Sequence, residues 1–562
     1  MDPIRVFSII FLMVALACTG HRAQNDADLV LIRGKIYTVA ADHPWAEACA
    51  IKDGKFIAVG ETEQVEKFRG KGTKVIDLQG RLVLPGFNDA HVHFADGGFY
   101  LLGIDLRDAK DEREFVERIK NYAAKLKPGE WILNGNWDHE AWPSKKHPTR
   151  ALIDSVTRDN PVLVQRLDGH IALANSLALK LAGITRDTPD PQGGEIVKDP
   201  RTGEPTGILK DNAQSLVSAI IPPPTKEQLK MAIKAAIRHA NSLGVTSIQD
   251  NSSDADLAIY QELLKEGELT LRINAWRPGY LYKHFEAIGL LSNFGNDMLR
   301  IGTMKVFVDG SMGAGTALFY EPYSDDPSTC GIPIYEEQEL YDFIAAIDKA
   351  GLQIAAHAIG DKANTWILNA FEKAFQANGR RDARHRIEHA QVVLPDDIER
   401  YRKLGIIASI QPSHCIDDMR WAEKRIGGRA KHSYLFNSFV KSGVTIAFGT
   451  DWTVEPLNPV LGLYAAITRE FPEGGPKGGW FPEEKITLAQ AIEFYTIGSA
   501  YAEFQDHVKG SIQEGKLADL IVLDRNLFEI QPKEILDAKV DLTILGGKIV
   551  FQREGSVPDG RE

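Results

Sequence analysis

Short apolar runs broken by turn residues occupy both ends of this chain, and longer blocks of mixed periodicity lie between them. From Asp28 the sequence reads Leu29-Val30-Leu31-Ile32 up to Gly34-Lys35. Ala50-Ile51-Lys52 then runs into Asp53-Gly54, and Phe56-Ile57-Ala58-Val59 ends at Gly60. Asp-Gly between extended runs predicts a hairpin. The far end has the same pattern, with Leu520-Ile521-Val522-Leu523, then Leu542-Thr543-Ile544-Leu545 meeting Gly546-Gly547 before Lys548-Ile549-Val550-Phe551. Neither half-set can cover its own apolar face. Residues 28–84 and 508–554 are therefore predicted to pair as one small β-domain.

The middle alternates strand-like and helix-like segments. Candidate strands are 245–249, 271–275, 302–309, 353–357, 386–389, 406–411 and 444–448; the extended segment ending at His91 makes eight. Thr225-Lys226-Glu227-Gln228 reads as a capping box opening a helix, with Leu229, Ile233, Ala236 and Ala240 on one stripe and Gly244 past its end. Eight βα repeats predict an α/β fold of the TIM (β/α)8 type over residues 85–505. The span from about 97 to 221 is too long for a simple connection after the first strand. It is expected to be an inserted subdomain over one mouth of the barrel, where long insertions usually carry function.

Composition narrows the classes. The chain has 562 residues, 44% of them hydrophobic, and a formal charge of −12, so a large core is available and more than one domain is expected. No Lys/Arg cluster offers a basic face for phosphates, which argues against nucleic acid as a partner. Cys18, Cys49, Cys330 and Cys415 are far apart and form no Cys-x-x-Cys pair, so neither a disulfide framework nor a thiolate metal site is indicated. Arg5 precedes an apolar run, Val6 to Ala17, ending in Ala15-Leu16-Ala17 before Cys18. This fits a secretory signal over residues 1–17 and is too short for a comfortable membrane span. Export is the expectation. The residues around Cys18 also resemble a bacterial lipoprotein box, which would place a lipid anchor there and the protein in the periplasm or on a membrane.

The candidate chemistry collects at strand ends. His91 and His93 sit two apart, and in a strand positions i and i+2 share one face, so both imidazoles can address one ion. Lys305 lies on the fourth strand, His357 on the fifth, His389 on the sixth and Asp451 just beyond the eighth. Taken singly, His357 or His389 is more often a satisfied core histidine and Lys305 a salt-bridge partner. In a TIM barrel, however, the carboxyl ends of the strands converge on one face. Four imidazoles and a carboxylate buried together would be costly unless they shared one or two divalent metals.

Seven stretches carry a family resemblance: Leu84-Pro85-Gly86-Phe87-Asn88-Asp89-Ala90-His91-Val92-His93, Lys305-Val306-Phe307-Val308-Asp309-Gly310-Ser311-Met312-Gly313, His357-Ala358-Ile359-Gly360-Asp361, Arg386-Ile387-Glu388-His389-Ala390, Gln411-Pro412-Ser413-His414, Gly449-Thr450-Asp451-Trp452 and Gly515-Lys516-Leu517-Ala518-Asp519-Leu520. In this order they resemble the amidohydrolase superfamily, and within it the amidohydrolase family 3 branch that includes N-substituted formamide deformylases. The resemblance implies a distorted TIM barrel with a composite β-sandwich from both termini, and hydrolysis of non-peptide carbon–nitrogen bonds in a small-molecule substrate. It also implies that His91, His93 and Asp451 hold the more buried metal and that His357 and His389 hold the second, with a carbamylated Lys305 bridging them. Zinc is the usual ion. A metal-activated hydroxide would attack the substrate, and Asp451 would take its proton and pass it to the leaving nitrogen.

Around this set, His170 and His414 are candidate substrate contacts, together with Arg425, Arg429 and Tyr434 after the seventh strand. Trp137 and Trp452 are candidate pocket walls. Two other classes remain open. An aromatic deaminase of the superfamily would usually lack the bridging lysine and place a glutamate three residues after the strand-five histidine, where this chain has Gly360. A non-catalytic binding or scaffold descendant would have lost ligands that are all retained here.

Overall fold

The computed structural model describes residues 26–139, 142–166, 171–191 and 194–556. The expected export signal and Cys18 lie outside the described residues, as does His170. One compact unit holds the described parts of Met1–His93, Ile237–Ser253 and Tyr260–Glu562; a second holds those of Phe94–Ala236 with Asp254–Ile259.

The two chain ends meet in the first unit. One sheet orders the strands Lys55–Gly60, Ala48–Lys52, Leu29–Ile32 and Lys74–Asp77. A second orders Lys548–Gln552, Val540–Leu545, Leu520–Leu523, Leu82–Pro85, Lys35–Tyr37 and Trp45–Ala46. Its central pairing sets Leu520–Leu523 antiparallel to Leu82–Pro85, with Ile521 opposite Leu84. Alternate residues point to opposite faces of a strand. Leu29 and Leu31 of the first sheet thereby share a core with Val83, Leu520, Val522, Leu542 and Ile544 of the second. The hairpin predicted at Asp53-Gly54 is present, both residues having positive φ (49° and 76°) as a mirror-image two-residue turn needs.

The barrel strands are β1 (Phe87–Val92), β2 (Val245–Asn251), β3 (Arg272–Pro278), β4 (Leu299–Phe307), β5 (Gln353–Ala358), β6 (Arg386–His389), β7 (Ile407–Ile410) and β8 (Ile446–Phe448). They pair in chain order and all in parallel. A parallel bridge from Val92 to Trp452 nearly closes the ring. The eight strands are those the alternation predicted, and the fold is a TIM-like barrel with an additional sheet domain.

The second unit has a six-stranded sheet of its own, from Ile104–Asp105 to Pro205–Asp211. The helix Lys226–Ser242 opens on the predicted capping box: Thr225 Oγ1 accepts from Gln228 N, and Gln228 Oε1 accepts from Thr225 N. Among the described residues no helix is long and apolar enough to cross a membrane.

Candidate metal centre

The centre is built where β8 runs on past its last residue to close against β1. Asp451 N donates to His91 O at 2.7 Å and His93 N donates to Trp452 O at 2.6 Å, so the two ligand-bearing stretches are laced together by their backbones. Gly449 permits this approach, since a Cβ there would lie 2.6 Å from His91 N. Asp89 reinforces it, accepting from Thr450 N at 2.9 Å, Thr450 Oγ1 at 2.6 Å and His91 N at 3.2 Å. Asp451 (φ 55°) and His389 (φ 71°) both have left-handed backbones, a conformation L residues adopt at a cost and one that recurs at functional sites.

His91, His93 and Asp451 form one set of possible ligand atoms and His389, His414 and Asp451 a second, the atoms of each set lying within 4.8 Å of one another. Asp451 Oδ1 lies 3.3 Å from His93 Nε2 and 3.6 Å from His91 Nε2; its Oδ2 lies 3.8 Å from His414 Nε2. Lys305 Nζ stands 3.2 Å from His91 Nε2. The rings of His357 and His389 are 4.5 Å apart, centre to centre. Among the described residues, three buried polar atoms here, Asp451 Oδ1, His389 Nδ1 and His414 Nε2, have no hydrogen-bond partner. Buried polar atoms in native proteins are nearly always satisfied, and those left over need a reason such as an ion. A carboxylate shared between imidazole clusters suits one or two divalent cations.

Residues 74–551 match the amidohydrolase family profile. The chain belongs to the amidohydrolase family. Protein LONG AFTER FAR-RED 3 of Arabidopsis thaliana is 37% identical over 541 residues, covering 93% of this chain and 92% of that protein. N-substituted formamide deformylase of Arthrobacter pascens is 28% identical over 547 residues, covering 94% and 99%. Among solved structures, an uncharacterized metal-dependent hydrolase from Pyrococcus horikoshii OT3 superposes with a TM-score of 0.76 at 32% identity, covering 90% of this chain and 99% of that one.

The protonation states of this amidohydrolase's centre suit a cation. Burial lowers His91 to about 4 and His357 to about 3, Lys305 adding to the effect in both, and it also lowers His389 and His414. These rings are neutral at neutral pH, the form that ligates metal. His93 behaves differently. Burial opposes its charge, but the Asp451 carboxylate 3.3 Å away outweighs burial and raises its pKa. Asp451 is held well below the carboxylate range, because the surrounding imidazoles overcome the upward push of burial.

Not every expected residue belongs to the cluster. His414, read as a substrate contact, sits with His389 and Asp451. His357 packs beside His389, but its Nε2 lies 3.1 Å from Gly310 O. Trp137 corrects the reading of a pocket wall: it is fully buried in the core of the second unit with Phe115 and Trp142, its Nε1 donating to Val164 O at 2.9 Å. Arg429 has a structural role of its own. Its guanidinium donates to Glu321 O, Pro322 O and Ile426 O, a set of carbonyl contacts that ties loops together. Tyr434 is buried on Asp418. Glu388 and Asp89 contact His91 directly, Thr450 holds Asp89 beside it, and Arg386 holds Glu388 and the carbonyl of Ala90; sequence pattern alone assigns none of these four a role. The one signal for Arg386 and Glu388 was Arg386-Ile387-Glu388, opposite charges two apart on one face of a strand.

Proposed function

We propose that this amidohydrolase cleaves the carbon–nitrogen bond of a small non-peptide amide, an N-formyl amine, an N-acyl amine or a cyclic amide, with zinc as its ion. The observation that carries this reading is the pair of donor sets meeting at Asp451, whose Oδ1 is buried without a hydrogen-bond partner among the described residues. His91, His93 and Asp451 would hold one ion; His389, with His357 and His414 beside it, would hold a second. When bound, a divalent ion supplies Lewis-acid polarisation of the substrate oxygen and acidifies water. Asp451 then has the proton work. Its carboxylate is ionised and can accept a proton from the attacking water at an oxygen, then return it to the leaving nitrogen.

Lys305 is proposed to be carbamylated. Burial lowers it to about 8, so more of it is neutral near pH 7 than of an ordinary lysine. A neutral amine adds carbon dioxide and releases a proton, and the product anion is stabilised between cations. A glutamate-dependent deaminase fits less well. A Cβ at Gly360 would meet Leu318 O at 1.9 Å, which leaves no room for a side chain there. The name of the Arthrobacter relative favours N-substituted formamides as the first substrates to try. Export is proposed on the apolar run before Cys18, and mass spectrometry of protein from its native host should find Cys18 as the first residue.

The test is a turnover screen of the zinc-loaded protein on N-formyl amines, N-acyl amines and cyclic imides, with chelator-treated protein as control. Hydrolysis that disappears with the metal and returns with it supports the reading. A protein that takes up no divalent metal, or takes it up and hydrolyses none of these, overturns it.

A further inference from the structure

Behind His91 lies a buried ionic arrangement that the proposed chemistry does not use. Arg386 and Glu388 are both completely buried inside the barrel. Arg386 Nε donates to Glu388 Oε1 at 2.5 Å, and its Nη2 donates to Ala90 O and Ser409 Oγ at 2.9 and 2.5 Å. Ser409 Oγ donates to Glu388 Oε2 at 2.8 Å. The guanidinium is also seated 4.9 Å over the ring of Trp276, which itself packs edge-on against His91 at 5.3 Å. The carboxylate assembled this way faces a metal-ligand candidate, with His91 Nδ1 2.8 Å from Glu388 Oε2.

Two contacts fix the tautomer of His91. A carboxylate can only accept, so Nδ1 must carry the proton. On the opposite side, Nε2 lies 3.2 Å from the Lys305 amine and is the nitrogen left with a free electron pair. Arg386 adds a backbone restraint by holding the carbonyl of Ala90, the residue before His91. Ring orientation, tautomer and backbone are thus set by three groups from β6 and β7, Arg386 also donating to Gln249 of β2. A buried Arg–Glu pair is weak grounds for stability, because desolvating two charges offsets most of their attraction. Its position directly behind His91 points to another use.

We propose that Glu388, assembled by Arg386 and Ser409, is a positioning residue that presents His91 Nε2 to the metal and sets how tightly the more buried ion is held. This rests on the metal-dependent reading above. A carboxylate behind a ligating histidine holds the ring and raises its basicity, and loss of such a partner typically weakens metal binding about 10–100-fold.

The experiment titrates metal-free wild-type protein and Glu388→Gln with Zn²⁺ against a competing chelator, and records the visible spectrum of the Co²⁺-loaded forms. Gln keeps the shape and removes the charge. The expected result is Zn²⁺ binding weakened about 10–100-fold, with a shifted Co²⁺ spectrum at saturating metal. A folded Glu388→Gln protein with wild-type Zn²⁺ affinity and an unchanged Co²⁺ spectrum overturns the proposal. Should Glu388→Gln fail to fold, Ser409→Ala decides. It removes one hydrogen bond to Glu388 and one from Arg386 without touching His91, and a severalfold loss of affinity supports the proposal while wild-type affinity overturns it. Wild-type protein that binds neither ion would instead defeat the metal-dependent reading itself.

Discussion

Asp451 and Asn have the same outline but different proton chemistry, and at this position the difference separates two roles. Asp451→Asn keeps an oxygen for the ion and cannot accept a proton. It is expected to retain most of its metal while kcat falls about 10²–10⁴-fold. Metal analysis alongside turnover checks this, and an Asn variant with full metal and normal turnover would move the proton to another group. Lys305 is tested differently. Lys305→Ala removes the proposed bridge between the two sets of ligands, so it should lower the metal content and abolish turnover, and added short carboxylates should restore part of both. Full metal occupancy with normal turnover in Lys305→Ala would sink the bridging carbamate.

Strand β6 shows how an element can present two adjacent residues to one centre. In a regular strand neighbours point to opposite faces, so Glu388 and His389 should not both face inward. The left-handed backbone at His389, φ 71°, and at Ala390, φ 40°, breaks the alternation after Glu388. Glu388 thereby contacts His91 while the His389 ring lies 5.3 Å from the same imidazole. Strict alternation puts Glu388 and His389 on opposite faces and so hides the centre they share. The extension of β8 depends instead on a missing side chain. Gly449→Ala would place a methyl against His91 N and Asp89 Oδ1. Backbone there cannot yield easily, so β8 should shift off β1 and displace Asp451. Misplacement of this order is expected to cost about 10²-fold in kcat/KM with reduced metal content, as steady-state kinetics and metal analysis would show.

At the scale of the molecule, the barrel and the β-domain are joined by buried charge. Arg272 in β3 makes a two-pronged contact with Asp519, at 2.6 and 2.8 Å, and Gly546 N donates to the same carboxylate at 2.8 Å. Burial pushes the Asp519 carboxyl up, but Arg272 outweighs it and holds the group below its ordinary value. A depressed folded-state pKa contributes stability above the unfolded value, about 4, that is lost as pH falls below it. Asp519→Asn should therefore unfold more easily at pH 7 by about 3–5 kcal/mol, because Arg272 is left buried and unpaired. Its stability should also depend less on pH below about 4 than that of the wild type. Denaturant titrations across pH 3–7 would check both. Truncation after Gln505 would remove Leu520–Leu523 and Val540–Leu545 and bare Leu82–Pro85; the product is expected to be insoluble. A soluble, active truncation would refute a β-domain made from both ends.

Periodicity and turn residues determined much of this protein by themselves. The eight barrel strands, the hairpin at Asp53-Gly54 and the capping box at Thr225 each depend on residues close together in sequence, and local patterns encode them. His91-x-His93 was legible for the same reason, since two residues on one strand face need no distant partner. What only the tertiary structure decided concerns groups brought together from far apart. His414 joins His389 and Asp451, Glu388 stands behind His91 across the barrel, and Thr450 locks onto Asp89 from the opposite end of the chain. Trp137 shows the reverse. Its residue type suits a pocket wall or a core equally, and only its burial with Phe115 and Trp142 settles which. A buried charge is defined by its partner. Its role could be read only once the fold had placed that partner beside it.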